Sequence, residues 1–387
     1  MDINVYAVAT PLVLAVVALE AAYCLYQKNG YYRFDDAMAN FGTAIGHQVV
    51  NVAVAALAFG LFTGLRARWP LADWGATPLS FAALYLSVDF LFYWFHRLGH
   101  SVNFLWAAHA PHHSSEELNY TVGLRASVTQ RLASFLFYWP LALVARAEVV
   151  LPLIGLHLLI QLIPHTRAIG RLPRWIESWL NTPTHHRVHH AINPAYLDKN
   201  FGGTFIVWDK LFGTYAEEVE APVYGVLRPI KTWSPVAINA QYWSLLWRDA
   251  VDAPAWTDKL KLWVMPNGWR PQGLPPRAPM PPVFGRTKLE SSLSASARRG
   301  LLLQLPVLLG AMWLVTSQGS PVGSWGKAAL GVAIWLAVIA WGRTLDAGLR
   351  DQDDLAAGAG GEDRRVGLEG LGERELRADQ RLERSVR

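Results

Sequence analysis

The chain has 387 residues, 52% of them hydrophobic, with 18 tryptophans and a formal net charge of +5. That is too apolar for an average soluble domain and is expected of a polytopic membrane protein. A single cysteine, Cys24, excludes a thiolate zinc site, an iron–sulfur cluster and a disulfide framework.

A membrane-crossing helix needs about 20 mostly apolar residues. In chain order the sequence predicts spans near 4–26, 43–65 and 77–95, then an interrupted apolar stretch at 132–164, then spans near 300–317 and 325–342. The fold class is therefore all-α, a polytopic integral membrane helical bundle. The 132–164 stretch contains Pro140, Arg146, Glu148 and Pro152, so two short helices entering and leaving one side are expected there, since two full crossings need more residues. The first apolar run lacks a basic leader and a small-residue cleavage site, and no cleavable signal is expected.

The domain organisation follows: 1–76 as N-terminal transmembrane helices, 77–230 as the catalytic unit, 231–299 as a cytoplasmic or interfacial segment, 300–342 as a transmembrane hairpin, and 343–387 as a charged, disordered tail. Lys and Arg accumulate between about 165 and 300, which puts that segment inside by the positive-inside rule. With three full crossings before it, the segment after His96 lies on the same side. Trp243, Trp247, Arg248, Trp256, Trp263, Trp269 and Arg270 read as an interfacial aromatic belt rather than a nucleic-acid surface. Gly358 to Gly361 follow no strand and precede no Lys-Ser or Lys-Thr, so they make no phosphate loop.

Chemistry is concentrated in histidine. Ten of the twelve histidines fall in clusters: His96 and His100; His109, His112 and His113; His165; and His185, His186, His189 and His190. Imidazoles three or four residues apart stand about one turn apart on one helix face and can reach a common metal. His47 and His157 read as isolated core or interfacial groups. His185 is four residues before His189 and shares its face, yet the H-x-x-H-H frame is complete without it, so it reads as either a ligand or a neighbour of one.

One ion cannot use so many imidazoles and still leave a position open, so two metals are expected, in a site on the cytoplasmic face. Iron, zinc, copper and nickel all suit imidazole, but zinc has no redox chemistry. Asp89 lies about two turns before His96 on one face, and an intramembrane carboxylate is costly unless it has a duty. Its expected duty is to accept a hydrogen bond from a ligand imidazole and fix its tautomer. Glu116 and Asp198, each close to a histidine box, are expected to stand behind the ligands or bridge them, and Asn119 joins Asp89 and Glu116 as a third residue near the site. Glu20 is left out of the site.

The spacing H-x-x-x-H, H-x-x-H-H and a later H-x-x-H-H resembles the fatty acid hydroxylase/sterol desaturase superfamily. More narrowly, Trp106-Ala107-Ala108-His109, His112-His113-Ser114-Ser115-Glu116 with Asn119 and Arg125, the run Asn181 to His190, Asp198 to Gly203 and Trp208 to Thr214 are similar to its alkylglycerol monooxygenase branch. The likeness is strongest from about Asp89 to Pro229.

The resemblance implies a membrane di-iron oxygenase that uses dioxygen as co-substrate. Its ligands would fall on His96, His100, His109, His112, His113, His186, His189 and His190, with His165 in addition. It implies a membrane lipid as substrate, an alkylglycerol ether lipid first, with sterol oxidation or desaturation and fatty acyl hydroxylation as alternatives. The reductant is expected to be external, tetrahydropterin or an electron-transfer protein, because no haem domain, cysteine cluster or dinucleotide fingerprint accompanies the boxes. The expected location is a bacterial cytoplasmic (inner) membrane. A histidine-lined metal transporter would need ligands spread along a path through the bilayer midplane, and these cluster at span ends.

Overall fold

The computed structural model describes residues 5–349 apart from Gln318, and the charged tail from 350 onward lies outside the described residues. Among the described residues the fold is all-α, with isolated bridges but no strand. The helices are α1 (Val5–Gln27), α2 (Phe34–Arg68), α3 (Pro78–Ser101), α4 (Asn103–His113), α5 (Tyr120–Leu124), α6 (Gln130–Tyr138), α7 (Leu141–Val144) and α8 (Ala147–Ile160). They continue with α9 (Arg174–Glu177), α10 (Pro183–His189), α11 (Val207–Phe212), α12 (Pro235–Asp252), α13 (Trp256–Lys261), α14 (Ala295–Thr316) and α15 (Ser324–Asp346).

Five of these, α1, α2, α3, α14 and α15, are long and apolar enough to cross a membrane. Much of their apolar surface faces outward, as at Leu19, Leu61, Leu303 and Leu336, the pattern of helices solvated by lipid. Four of the spans, α2, α3, α14 and α15, are longer than the apolar runs alone predict. Thr77 Oγ1 caps α3 by accepting from the backbone N–H of Ser80 at 3.2 Å, with Pro78 in the first turn, where a missing N–H costs nothing. α2 starts well before its apolar run because Asp36 and Asn40 in its first turns find buried partners at Ser115 and Thr121.

Helix association in lipid gains little from the hydrophobic effect and relies on close packing. α2 shows how. A Cβ on Gly42 would stand 2.6 Å from Pro235 Cγ, and one on Gly46 3.1 Å from Trp335 Cη2, so both glycines let α12 and α15 lie directly on the α2 backbone. Phe41, Ile45, Leu308, Met312, Ile334 and Trp341 share one core cluster there. A second cluster joins α3 to the helices of the 130–160 stretch through Leu84, Val88, Phe92, Leu141 and Ile154.

That stretch forms three helices, α6, α7 and α8, rather than two. Its apex reaches the loop joining α2 to α3, where Leu143 O accepts from Leu71 N and Val144 O from Trp74 N, each at 2.7 Å. Successive spans alternate in direction, so the C-terminal ends of α1 and α3 share one end of the bundle with the N-terminal end of α2. The histidine-bearing segments gather at that end: Glu20 of α1 accepts from Tyr120 N at 2.8 Å and from the Thr166 hydroxyl, and Asp36 of α2 accepts from Ser115 Oγ at 2.8 Å.

Candidate metal centre

α3 ends in His96 and His100, α4 carries His109, His112 and His113, and α10 carries His186 and His189 with His190 as its C-terminal cap. His165 sits on the turn after α8. α10 starts where it does because Pro183 occupies its first position and the Thr182 N–H donates to His185 Nδ1 at 3.3 Å. The helix is only seven residues long, so both of its box histidines and the cap project to one side.

Nine imidazoles form two groups. His96, His100, His109, His113 and His189 make one, and His112, His165, His186 and His190 the other, with one ring nitrogen from each lying within 4.8 Å of its group's others. Within the first, the Nε2 atoms of His96 and His109 are 3.1 Å apart, those of His109 and His113 2.9 Å, and those of His100 and His113 3.1 Å. Within the second, His112 and His165 are 3.2 Å apart, His165 and His186 2.9 Å, and His186 and His190 3.0 Å. Two nitrogens each about 2.1 Å from one ion stand about 3.0 Å apart at a right angle and about 3.4 Å apart at a tetrahedral one. The observed spacings match the right-angle edges of a higher coordination number.

The protons decide what these contacts mean. His112 Nδ1 donates to the Arg125 carbonyl at 3.2 Å and His165 Nδ1 to the Gln161 carbonyl at 2.7 Å. A carbonyl only accepts, so each neutral ring carries its proton on Nδ1 and leaves Nε2 bare. His96 and His189 are fixed likewise by the carbonyls of Phe201 at 2.8 Å and Lys199 at 3.0 Å. His112 and His165 therefore aim two lone pairs at each other across 3.2 Å, an arrangement that repels unless a cation lies between them. The donor set fits a metal.

Burial keeps these rings neutral. It lowers the His112 pKa to about 4 and moves His109, His113, His165, His186, His189 and His190 well below the ordinary imidazole value. Neighbouring imidazoles push in the same direction. Neutral imidazole is the form that binds metal.

The other expected site residues separate. His185 stands outside both groups, capping α10 and packing its ring against Tyr215. Burial lowers its pKa to about 4. Asp89 bonds no ligand imidazole; its partner is His157, the histidine read from the sequence as an isolated core group, at 2.6 Å. Glu116 accepts from Leu289 N at 2.7 Å, and Asn119 caps α5 and donates to the Tyr31 carbonyl at 2.8 Å, so both tie the centre's surroundings together without facing it. Asp198 alone approaches a ring, with Oδ1 4.0 Å from His100 Nδ1, and its side chain is 72% exposed.

The sequence reading also passed over Asp36. The buried Arg125 donates to Asn40 Oδ1 at 2.9 Å, Ser114 Oγ at 2.7 Å and Pro111 O at 2.9 Å, and pairs with Asp36 at 3.5 Å. Its own carbonyl then receives His112. Two adjacent aspartates opening an apolar helix were the available signal.

A cavity of about 220 Å³ runs from the centre between the spans. His96, His109, His112, His165 and His186 stand at its inner end, and Ile45, Phe92, Leu158, Leu162, Leu309 and Met312 are among the apolar side chains along it.

Residues 81–214 match the fatty acid hydroxylase family model. The chain is 35% identical to the alkylglycerol monooxygenase of Xenopus tropicalis over 279 residues, 70% of this chain and 62% of that protein. It is 35% identical to the human alkylglycerol monooxygenase over 266 residues, 68% of this chain and 59% of that one. The likeness reaches 43% over 188 residues with the Danio rerio protein of the same name, 48% of this chain and 42% of the relative. The chain thus spans about three fifths or less of the length of these relatives. No solved structure matches it. The segment that carries all nine imidazoles thus matches the fatty acid hydroxylase family model, and the chain around it is similar to the alkylglycerol monooxygenases.

Proposed function

We propose that the protein is a lipid monooxygenase of the membrane, holding two irons in its two imidazole groups and inserting one oxygen atom into the C–H bond of an O-alkyl glycerolipid beside the ether oxygen. The observation that carries this reading is the pair of facing bare nitrogens on His112 and His165, which calls for a cation at the inner end of an apolar cavity. Five ligands of one group and four of the other make two ions the natural complement, and the alkylglycerol monooxygenase relatives support the substrate class. Open irons supply the activation of dioxygen that side chains lack.

The chain's own residues bind, orient and exclude. The apolar lining at Phe92, Leu158, Leu162 and Met312 takes up an alkyl chain and keeps water out, since each unpaired polar group drawn through it would cost several kcal/mol, about 2–7. The Nδ1–H bonds to the Arg125, Gln161, Phe201 and Lys199 carbonyls hold four ligand rings in the binding tautomer. One atom of dioxygen enters the C–H bond and the other leaves as water with two electrons and two protons, and the hemiacetal formed falls apart to an aldehyde and a glycerol hydroxyl. The electrons come from outside the chain, from reduced pterin or an electron-transfer protein. The active site faces the cytoplasm, in line with the Lys and Arg between about 165 and 300.

The test supplies oxygen-18 dioxygen, a reductant and, in parallel, an alkylglycerol, a fatty acid and a sterol to purified iron-loaded protein. Label in the aldehyde from the alkylglycerol is expected. Label only in a water-soluble product, or active protein with zinc and no iron, would overturn the reading.

A further inference from the structure

Beside the imidazole groups lies a polar chain, centred on the fully buried Asp89 and His157, that the proposed reaction does not use. Asp89 of α3 accepts from His157 Nε2 at 2.6 Å, from Trp208 Nε1 at 2.7 Å and from the backbone N–H groups of Thr204 at 2.6 Å and Phe205 at 3.4 Å. Four donors on two oxygens fill the carboxylate's acceptor sites.

Two branches of this chain end on ligands. Through Thr204 and Phe205, Asp89 fixes the loop 198–205, whose Phe201 carbonyl receives His96 and whose Lys199 carbonyl receives His189, both in the five-imidazole group. A second carboxylate steadies the same loop: Asp209 accepts from the N–H groups of Phe201 and Gly202, both at 2.7 Å. Through His157 the chain runs the other way. Gln161 Nε2 donates to His157 Nδ1 at 2.8 Å, and the Gln161 carbonyl receives His165 of the four-imidazole group. His157 thus carries its proton on Nε2, the reverse of the ligand rings, and both of its nitrogens are used. Nor is there slack: a Cβ on Gly203 would lie 2.7 Å from His157 Nε2 and 2.8 Å from Asp89 Oδ1.

We propose that Asp89 and His157 are positioning residues that couple the two metal positions, holding His96 and His189 of one group and His165 of the other in a single frame that fixes how the two ions face each other. The proposal rests on reading the imidazole groups as metal sites. Neither residue touches substrate or metal, so disturbing either should change both positions, unlike a substitution confined to one group.

The experiment titrates detergent-purified protein with Co²⁺, following uptake per chain and the visible ligand-field spectrum. Wild type is expected to take up two ions. Asp89→Asn, which puts an amide donor where only acceptors fit, and His157→Gln should each weaken Co²⁺ binding at both positions by about 10–100-fold and shift both spectral components. Two milder variants guard against failure to fold: Trp208→Phe removes one donor to Asp89, and Gln161→Leu cuts the branch to His165 while keeping its carbonyl, so its effect should fall mainly on the four-imidazole position. Variants that take up two Co²⁺ with wild-type affinities and spectra, even if they melt earlier, would overturn the coupling and leave the metal reading intact. Wild-type protein that takes up no Co²⁺ would overturn the metal reading and this proposal with it.

Discussion

The two imidazole groups differ in where they look. In the four-membered group His112, His165 and His186 line the cavity, whereas in the five-membered group only His96 and His109 do. Of the remaining rings of the larger group, His100 and His189 pack against Phe201 of the loop 198–205, and His100 stands near the exposed Asp198. The smaller group has fewer nitrogens and more contact with the lipid-sized space; the larger has more nitrogens and a neighbour open to water. A position with fewer protein ligands keeps more of its coordination free, which makes the four-imidazole position the one we expect to meet dioxygen and substrate.

The sharpest break of that comparison is His186→Ala. It leaves three nitrogens in the smaller group, and we expect iron content to fall from two per chain to one, with turnover lost by about a thousandfold or more. His100→Ala leaves four nitrogens in the larger group and should cost distinctly less iron; equal losses from the two substitutions would erase the distinction. Gly203→Ala comes next. Its methyl group collides with Asp89 and His157, so we expect a loss of about 1–3 kcal/mol of stability, read in thermal melts, with metal affinity falling in both groups together. Loss in one group alone would separate what the loop is said to join.

Ala44→Phe, on the cavity wall, should leave iron content intact while raising KM for long-chain alkylglycerols by about tenfold relative to short ones. A uniform fall in kcat across chain lengths would count against the cavity as the chain's berth. The smallest effect is expected at His185→Gln. Iron content and turnover should stay near wild type, with about 1 kcal/mol lost from the cap of α10. Iron lost from His185→Gln would return that residue to the ligand set.

What the sequence revealed follows from how far its signals reach. The histidine boxes were legible because their spacing is that of one helical turn, and α3, α4 and α10 keep that spacing. The spans were legible from apolar length, but the start of α2 was hidden by Asp36 and Asn40, which look like loop residues until Ser115, Thr121 and Arg125 arrive to satisfy them. The pairing of Asp89 with His157 joins residues 68 apart on two helices, and no local pattern announces it. The loop from Asp198 to Gly203 stood out in the sequence, but its role did not, because it acts through the carbonyls of Lys199 and Phe201, groups that every residue possesses.

The clasp of α2 by α12, α14 and α15 carries a consequence for biosynthesis. α2 begins at Phe34 and α15 ends at Asp346, and at about 5–20 residues per second a ribosome needs about 15–60 s to make what separates them. For that interval the face of α2 around Gly42, Ile45 and Gly46 has no Trp335 or Trp341 to lie against. The polar half of the same helix is served earlier, by Thr121, Arg125 and Ser127. One face of α2 thus finds its partners before the other, and a span among the first to be synthesised is enclosed only when α15 has been made.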